Sequence, residues 1–385
     1  MPSPSMTLVV TPSFRGGSWR RIEEILLRSR GTRFLAVGYG DGGSLPSPHR
    51  ILRMPFGDYS RWHFLVRAPF VAVLVSLPLA LCALALIVAR RPPRVLANGL
   101  VLSFLLLPAC KLWGSRLVVV HHGWTSEVRG AAAWLTRYLS RHLDRVFVNS
   151  RGSREDLSRL VDRRRLQVIE HNAPELFFEP QEPLAECEGV PLGDRPVVLY
   201  VGRLDPEKNV DLMVQVLGRT LEAGSSALFV VCGDGALRPE VEDLARRWPR
   251  QVLYLGYVED QRRLARLYRS ARVLWGCGTP TYLELPAVES LVVGTPVLIP
   301  DRPSILGLRR TRDEAIDPAL VPEFVGRLVP PTVPSLETAL WRILRGEDTF
   351  DRATVAAHGR RHYGLGNLDP VLDAVAGRTS VDAAS

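Results

Sequence analysis

Lysine is almost missing from this chain: in 385 residues it stands only at positions 111 and 208, and arginine carries the rest of the basic charge. Cysteine is also scarce. The five, at 82, 110, 187, 232 and 277, are odd in number, scattered and without metal-type spacing, which excludes a disulfide framework and a cysteine-built metal site and points to reduced thiols in a cytoplasmic protein. No run of basic residues interleaved with aromatics occurs, so nucleic acid is not expected as a partner. The opening lacks the long apolar core of a signal peptide; "TLVVTPSFRGG" reads as strand, loop and helix start. Disorder is excluded by 46% hydrophobic against 23% charged residues, the balance of a globular protein.

A chain of this length suits two domains. Charge divides it as well. Residues 1–180 hold 25 Lys/Arg against 12 Asp/Glu, net +13, whereas 181–385 hold 24 against 28, net −4. A basic first half suggests an anionic partner there, such as a lipid surface or a phosphorylated acceptor, or simply a solvated face. Apolar strand-like runs alternate with helical patterns in both halves. "LVVT", "RFLAVG", "RVLANG", "RLVVVHH" and "RVFVNS" come first. After the Pro-rich stretch from Glu179 to Pro196 follow "VVLYVG", "ALFVVCG", "QVLYLG", "ARVLWG" and "TPVLIP". Continuous apolar strands between helices mean parallel strands covered on both faces. The expected architecture is α/β: two Rossmann-like, doubly wound domains facing an interdomain cleft. Their expected bounds are 1–180 and 181–350, with a C-terminal helix and loose tail over 351–385.

Ala68 to Ala89 is uncharged throughout, flanked by Arg67 and by Arg90 and Arg91. As helix it would be about 33 Å long. It could lie in a membrane interface, pack as a core helix or span a bilayer. The flanking arginines and the basic first half favour the interfacial reading, and spanning would divide a sheet whose strands lie on both sides of it in sequence.

"ELPAVESLVVGTPV", from Glu284 to Val297, reads as a short buried helix entered through Pro286 and closed by Gly294. Its carboxylate Glu289 lies in an apolar surround, where an unpaired charge costs several kcal/mol, so a partner for it is required. "YVGRLDPEKNV" ends a strand with Gly202 and sets Arg203 and Lys208 on the following loop, where two cations could grip a diphosphate or merely balance Asp205 and Glu207. "VVCGDG" supplies a second strand-end glycine, Gly233.

In order, "VGRLDPEKNV", "VVCGDGALRPEVEDLA", "LYLGYVEDQRRLARLYRSARVL" and "ELPAVESLVVGTPVLIPD" resemble the C-terminal domain of the glycosyltransferase family 4 enzymes, and "LVVTPSFRGG", "LVVVHHG", "RVFVNSRGSREDL" and "VIEHNA" are similar to that family's first domain. Together they cover most of residues 7 to 300. The resemblance implies the GT-B fold and a retaining, metal-independent sugar transfer from a nucleotide-sugar donor, with no cofactor. It implies that Glu289 accepts hydrogen bonds from the donor's ribose, that Arg203 and Lys208 hold the diphosphate and stabilise it as a leaving group, and that the backbone at Glu284 and Leu285 begins a phosphate-binding helix. By the same resemblance Gly17 allows close backbone approach to the phosphate, Gly202 and Gly233 count as strand-end glycines of the donor-binding set, Tyr257 and Val258 edge the base, and His122, beside His121, ends a strand near the reacting sugar. The sequence departs from the family at the first of two motif glutamates, which falls at Thr281, and at an expected glycine, which is Glu284. Glu284 either substitutes for the missing carboxylate or is an exposed loop charge. The expected acceptor is a lipid-linked saccharide or glycolipid, met by a peripheral protein on the cytoplasmic face of an anionic membrane. A non-catalytic donor-binding subunit and a nucleotide-sugar epimerase are the alternatives.

Overall fold

A computed structural model describes residues 6–12, 14, 16–29, 32–40, 45–54, 69–121, 128, 130–180, 182–302 and 315–376. The chain divides into two compact units, one formed by Met1–Glu170 with Gly366–Ser385, the other by His171–Leu365. The division therefore falls at 170/171, not 180/181. The Pro-rich stretch belongs inside the second unit, where it carries a small hairpin.

The first unit contains β1 (Met6–Thr11), α1 (Gly16–Arg28), β2 (Arg33–Gly38), β3 (Arg50–Arg53), α2 (Pro69–Arg90), β4 (Arg94–Asn98), α3 (Leu100–Leu112), β5 (Arg116–His121), α4 (Gly130–Ser140), β6 (Arg145–Val148), α5 (Arg151–Leu157) and β7 (Leu166–Val168). Its strands form one parallel sheet in the order β3-β2-β1-β4-β5-β6-β7. The order reverses direction between β1 and β4, the switch point at whose carboxyl side doubly wound sheets bind ligands. Val9 and Leu96 point to one face, with Trp19, Ile22 and Ile25; Val10 and Val95 point to the other, with Leu79, Ala83 and Ile87 of α2. Burial on both faces is why these strands are continuous apolar runs.

Helix α2 is built in two ways. Leu79, Ala80, Ala83 and Ile87 recur at helical spacing and are fully buried against α3 and the sheet, while Leu77, Leu81 and Val88 remain exposed. Among the described residues no helix is long and apolar enough to cross a membrane.

The second unit runs β8 (Glu186–Cys187), β9 (Val190–Pro191), β10 (Val197–Val201), α6 (Val210–Glu222), β11 (Leu228–Cys232), α7 (Arg238–Arg247), β12 (Val252–Gly256), α8 (Gln261–Ser270), β13 (Val273–Trp275), β14 (Gly278–Thr279), β15 (Tyr282–Leu283), α9 (Leu285–Val293), β16 (Val297–Pro300), β17 (Gly326–Val329), α10 (Val333–Leu344) and α11 (Arg352–His362). Its parallel sheet has the order β12-β11-β10-β13-β16-β17, again doubly wound. α8 and α9 cover one face; α6, α7 and α10 cover the other. Helix α9 ends where the sequence predicts: Gly294 takes φ 93°, a left-handed cap. After the second unit, α12 (Asp369–Ala376) joins the first, burying Leu372 and Val375 in the same core as Trp19 and Ile25.

Candidate functional site

The carboxyl ends of β10, β11 and β12 are laced together by backbone. The Gly202 N–H donates to Cys232 O at 3.0 Å, the Gly233 N–H to Gly256 O at 2.7 Å and the Leu204 N–H to Asp234 O at 3.0 Å. Position 233 tolerates no side chain, since φ is 143° and a Cβ would lie 1.8 Å from the Gly202 carbonyl oxygen. Two predicted glycines thus meet at one strand edge, where a Cβ at 202 would instead press on the Tyr200 hydroxyl at 3.0 Å. Tyr257 and Val258 follow Gly256 on the same edge, the first exposed and the second buried.

Arg203 and Lys208 leave this edge on the loop into α6. Buried Tyr200 steers the loop by donating its hydroxyl to Arg203 O at 2.7 Å, and burial holds that phenol well above its ordinary pKa. Neither cation stands alone. Arg203 pairs with Asp205 and, at 3.3 Å, with Glu207; Lys208 pairs with Glu284. Two cations and three carboxylates therefore share this loop and the start of α9. The Lys208 and Glu284 side chains are only 10% and 21% exposed, so Glu284 is not an exposed loop charge. Cys277 completes the contact, its thiol donating to Lys208 O at 3.1 Å; burial first, and then Glu284, push that thiol up to about 12.

Glu289 is fully buried, and the required partner is a protein group: the Tyr268 hydroxyl of α8 donates to it at 2.9 Å. Leu285 opens α9, with Pro286 in its second position and Glu284 as the residue before it.

In the first unit, Gly17 lies in the first turn of α1. His122 lies outside the described residues. Its neighbour His121 ends β5, and although the residue as a whole is part-exposed, both ring nitrogens are shielded and find no hydrogen-bond partner among the described residues. Burial draws that imidazole down to about 4, with Asp156 opposing, so it is neutral at pH 7. The predicted set thus separates into a strand-edge group (Gly202, Gly233, Tyr257, Val258), an ion-pair group (Arg203, Lys208, Glu284), the buried Glu289 and two first-unit positions. Tyr268, which touches this set directly, carried no signal in the sequence, and Cys277 showed there only as one of five scattered cysteines.

The matches to known proteins bear on family and fold. Residues 195–338 match the family model described as Glycosyl transferases group 1. HepE of Anabaena, solved with UDP and glucose, superimposes with a TM-score of 0.67 over 96% of this chain and 99% of its own, at 16% identity. The fold is GT-B. A second GT-B neighbour, a putative UDP-N-acetylglucosamine 2-epimerase from Listeria monocytogenes, covers 97% of this chain and 96% of its own with a TM-score of 0.62 and 14% identity. At such identity the GT-B likeness extends to fold alone. Among curated sequences, the GDP-mannose-dependent alpha-(1-6)-phosphatidylinositol dimannoside mannosyltransferase of Mycobacterium tuberculosis is 33% identical over 103 residues, 27% of this chain. That match spans about a quarter of the relative's length (26%).

Proposed function

We propose that this protein is a retaining glycosyltransferase of the family 4 type that takes a nucleotide-sugar donor on its second unit and transfers the sugar to a lipid-linked saccharide or glycolipid presented to its first. The observation that carries the proposal is the constellation at the carboxyl edge of β10, β11 and β13, where Gly202, Gly233, Arg203, Lys208 and Glu284 collect within the stretch that matches the glycosyl transferases.

In this reading Arg203 and Lys208 exchange part of their carboxylate pairing for the donor diphosphate and stabilise charge as it grows on the leaving group. Such preorganised cations do the electrostatic work that a metal ion would do elsewhere, so no metal is assigned. Glu289 turns from the Tyr268 hydroxyl, or shares it, to accept hydrogen bonds from the ribose. Tyr257 and Val258 border the base. The departing phosphate takes the acceptor proton, so attack proceeds on the face from which the nucleotide leaves and no protein nucleophile is needed. The family resemblance further assigns His122 to the reacting sugar and Gly17 to the donor phosphate.

The apolar outer stripe of α2 (Leu77, Leu81, Val88) and the net +13 of residues 1–180 support docking of the first unit at the cytoplasmic face of an anionic membrane. A phosphatidylinositol-based acceptor in the name of the mycobacterial relative fits the same setting. One observation favours a second reading. Thr281 occupies the position of the first motif glutamate, and both Arg203 and Lys208 are neutralised by carboxylates, as a donor-binding subunit without turnover would tolerate. An epimerase shares the fold alone.

Incubation with UDP-glucose, GDP-mannose and ADP-glucose, each with and without bacterial membrane lipid, separates these readings. Lipid-dependent release of UDP, GDP or ADP is the expected result. Binding without release in every combination would favour the non-catalytic subunit.

A further inference from the structure

Residues 277–284 double back on themselves. Gly278–Thr279 and Tyr282–Leu283 pair antiparallel, and the Glu284 N–H returns to Cys277 O at 3.2 Å. Pro280 and Thr281 form the turn of this hairpin, anchored where the Asp317 N–H donates to Pro280 O at 3.1 Å. Glu284 stands at the hairpin base instead, bonded back to Cys277 just past the carboxyl end of β13, in a closed ring of contacts: Cys277 to the Lys208 carbonyl, Lys208 to the Glu284 carboxylate, Glu284 to the Cys277 carbonyl.

We propose that Glu284 is the sugar-facing carboxylate of this donor site, supplying from the hairpin base what position 281 lacks, and that Lys208 is its positioning residue. The assignment deepens the donor-binding reading above and rests on it. Three physical points lead to it. A carboxylate at this edge would repel a diphosphate, but paired with Lys208 it adds no net charge and keeps its capacity to accept hydrogen bonds from hydroxyls, the groups a sugar presents in quantity. Thr281 offers one neutral hydroxyl on a turn, a weaker partner. The start of α9 offers few backbone donors: Pro286 has no N–H, and the N–H groups of Ala287 and Val288 are committed to Glu284 O at 3.0 and 3.1 Å. Beside the Leu285 N–H, what this helix start contributes is the Glu284 side chain.

The test compares bare UDP and GDP with UDP-glucose and GDP-mannose by calorimetric titration of the wild type, Glu284→Gln, Thr281→Glu and Lys208→Met. The preferred nucleotide sugar is expected to bind the wild type about tenfold or more tightly than its bare nucleotide, the scale of a charged hydrogen bond. Glu284→Gln, nearly isosteric, should abolish that difference while leaving bare-nucleotide affinity within about threefold; Lys208→Met should weaken both ligands; Thr281→Glu should add nothing. A Glu284→Gln protein that keeps the sugar-dependent difference, or that binds nucleotide and nucleotide sugar equally more tightly, overturns the proposal and makes Glu284 only a competitor of phosphate for the lysine. A wild type that binds neither nucleotide nor nucleotide sugar sinks the donor reading itself and this assignment with it, a result judged without reference to any variant.

Discussion

The Tyr268 hydroxyl and the Glu289 carboxylate, on neighbouring helices α8 and α9, meet at 2.9 Å in a fully buried setting. Tyr268 is held in turn by edge contact with Phe177 at 5.8 Å between ring centroids, and its carbonyl accepts from the Thr295 hydroxyl at 2.6 Å. A buried carboxylate with a rigid donor is a fixed element of the core as well as a proposed ligand for ribose. The two roles come apart on substitution. Tyr268→Phe removes the donor and keeps the ring, so it should lower unfolding free energy by about 1.5–3 kcal/mol, measured in urea. Glu289→Gln retains a hydrogen-bond acceptor, and the donor reading expects nucleotide-sugar affinity to fall roughly tenfold; unchanged affinity would remove ribose binding from Glu289 and leave it a structural residue.

Gly233→Ala should be among the most damaging single changes in the second unit. Its methyl would have to occupy space 1.8 Å from the Gly202 oxygen at a backbone angle that disfavours side chains. A loss of about 2–4 kcal/mol is expected by chemical denaturation. Gly114→Ala, with open space around the Cβ and a φ of 69°, should cost about 1 kcal/mol, the backbone term alone. The difference between the two isolates the steric contribution of the strand-edge crossing.

His121 makes stability depend on pH. Burial lowers its folded pKa to about 4 from the ordinary imidazole value of 6.5, so the unfolded chain binds more protons between those values. Its contribution, about 3 kcal/mol, is complete above pH 6.5 and is lost as pH falls toward 4. His121→Gln should flatten the stability profile across that interval; an unaltered slope would show that the imidazole is not shielded in solution.

The strands were legible because both faces of each sheet are covered, so β1, β4, β5, β10, β11 and β16 appear as unbroken apolar runs. The helix from Leu285 to Val293 was legible through its proline entrance and Gly294. Other features left no local trace. Two-residue strands such as β14 and β15 are too short to show a period, and β3, "RILR", is a mostly exposed edge strand. The Lys208–Glu284 pair joins residues 76 apart, and Tyr268–Glu289 joins two helices; both depend on how the chain packs, which no window of sequence contains. Lys208 could still be singled out, as one of only two lysines, and Glu284 as an acid where the resembling family has glycine, but not that the two meet.

The two faces of α2 give opposite expectations for substitution. Ile87→Ala opens a cavity in the first unit's core and should cost about 2–5 kcal/mol. Leu81→Glu, at 57% exposure, should leave stability within about 0.5 kcal/mol yet reduce co-sedimentation with anionic lipid vesicles several-fold. Equal sedimentation of Leu81→Glu and wild type would take this stripe out of membrane docking.

The polypeptide crosses from one unit to the other twice, once after Glu170 and again after Leu365. The second unit is thus spliced into the first, and the first unit's core is complete only when α12 has been made. A ribosome finishing this chain releases the amino-terminal sheet with one flank still bare until Leu368, Val371, Leu372 and Val375 emerge to cover it. Trimming the carboxyl end, a common way to tidy a protein for crystals, would here strip core from the opposite end of the gene product.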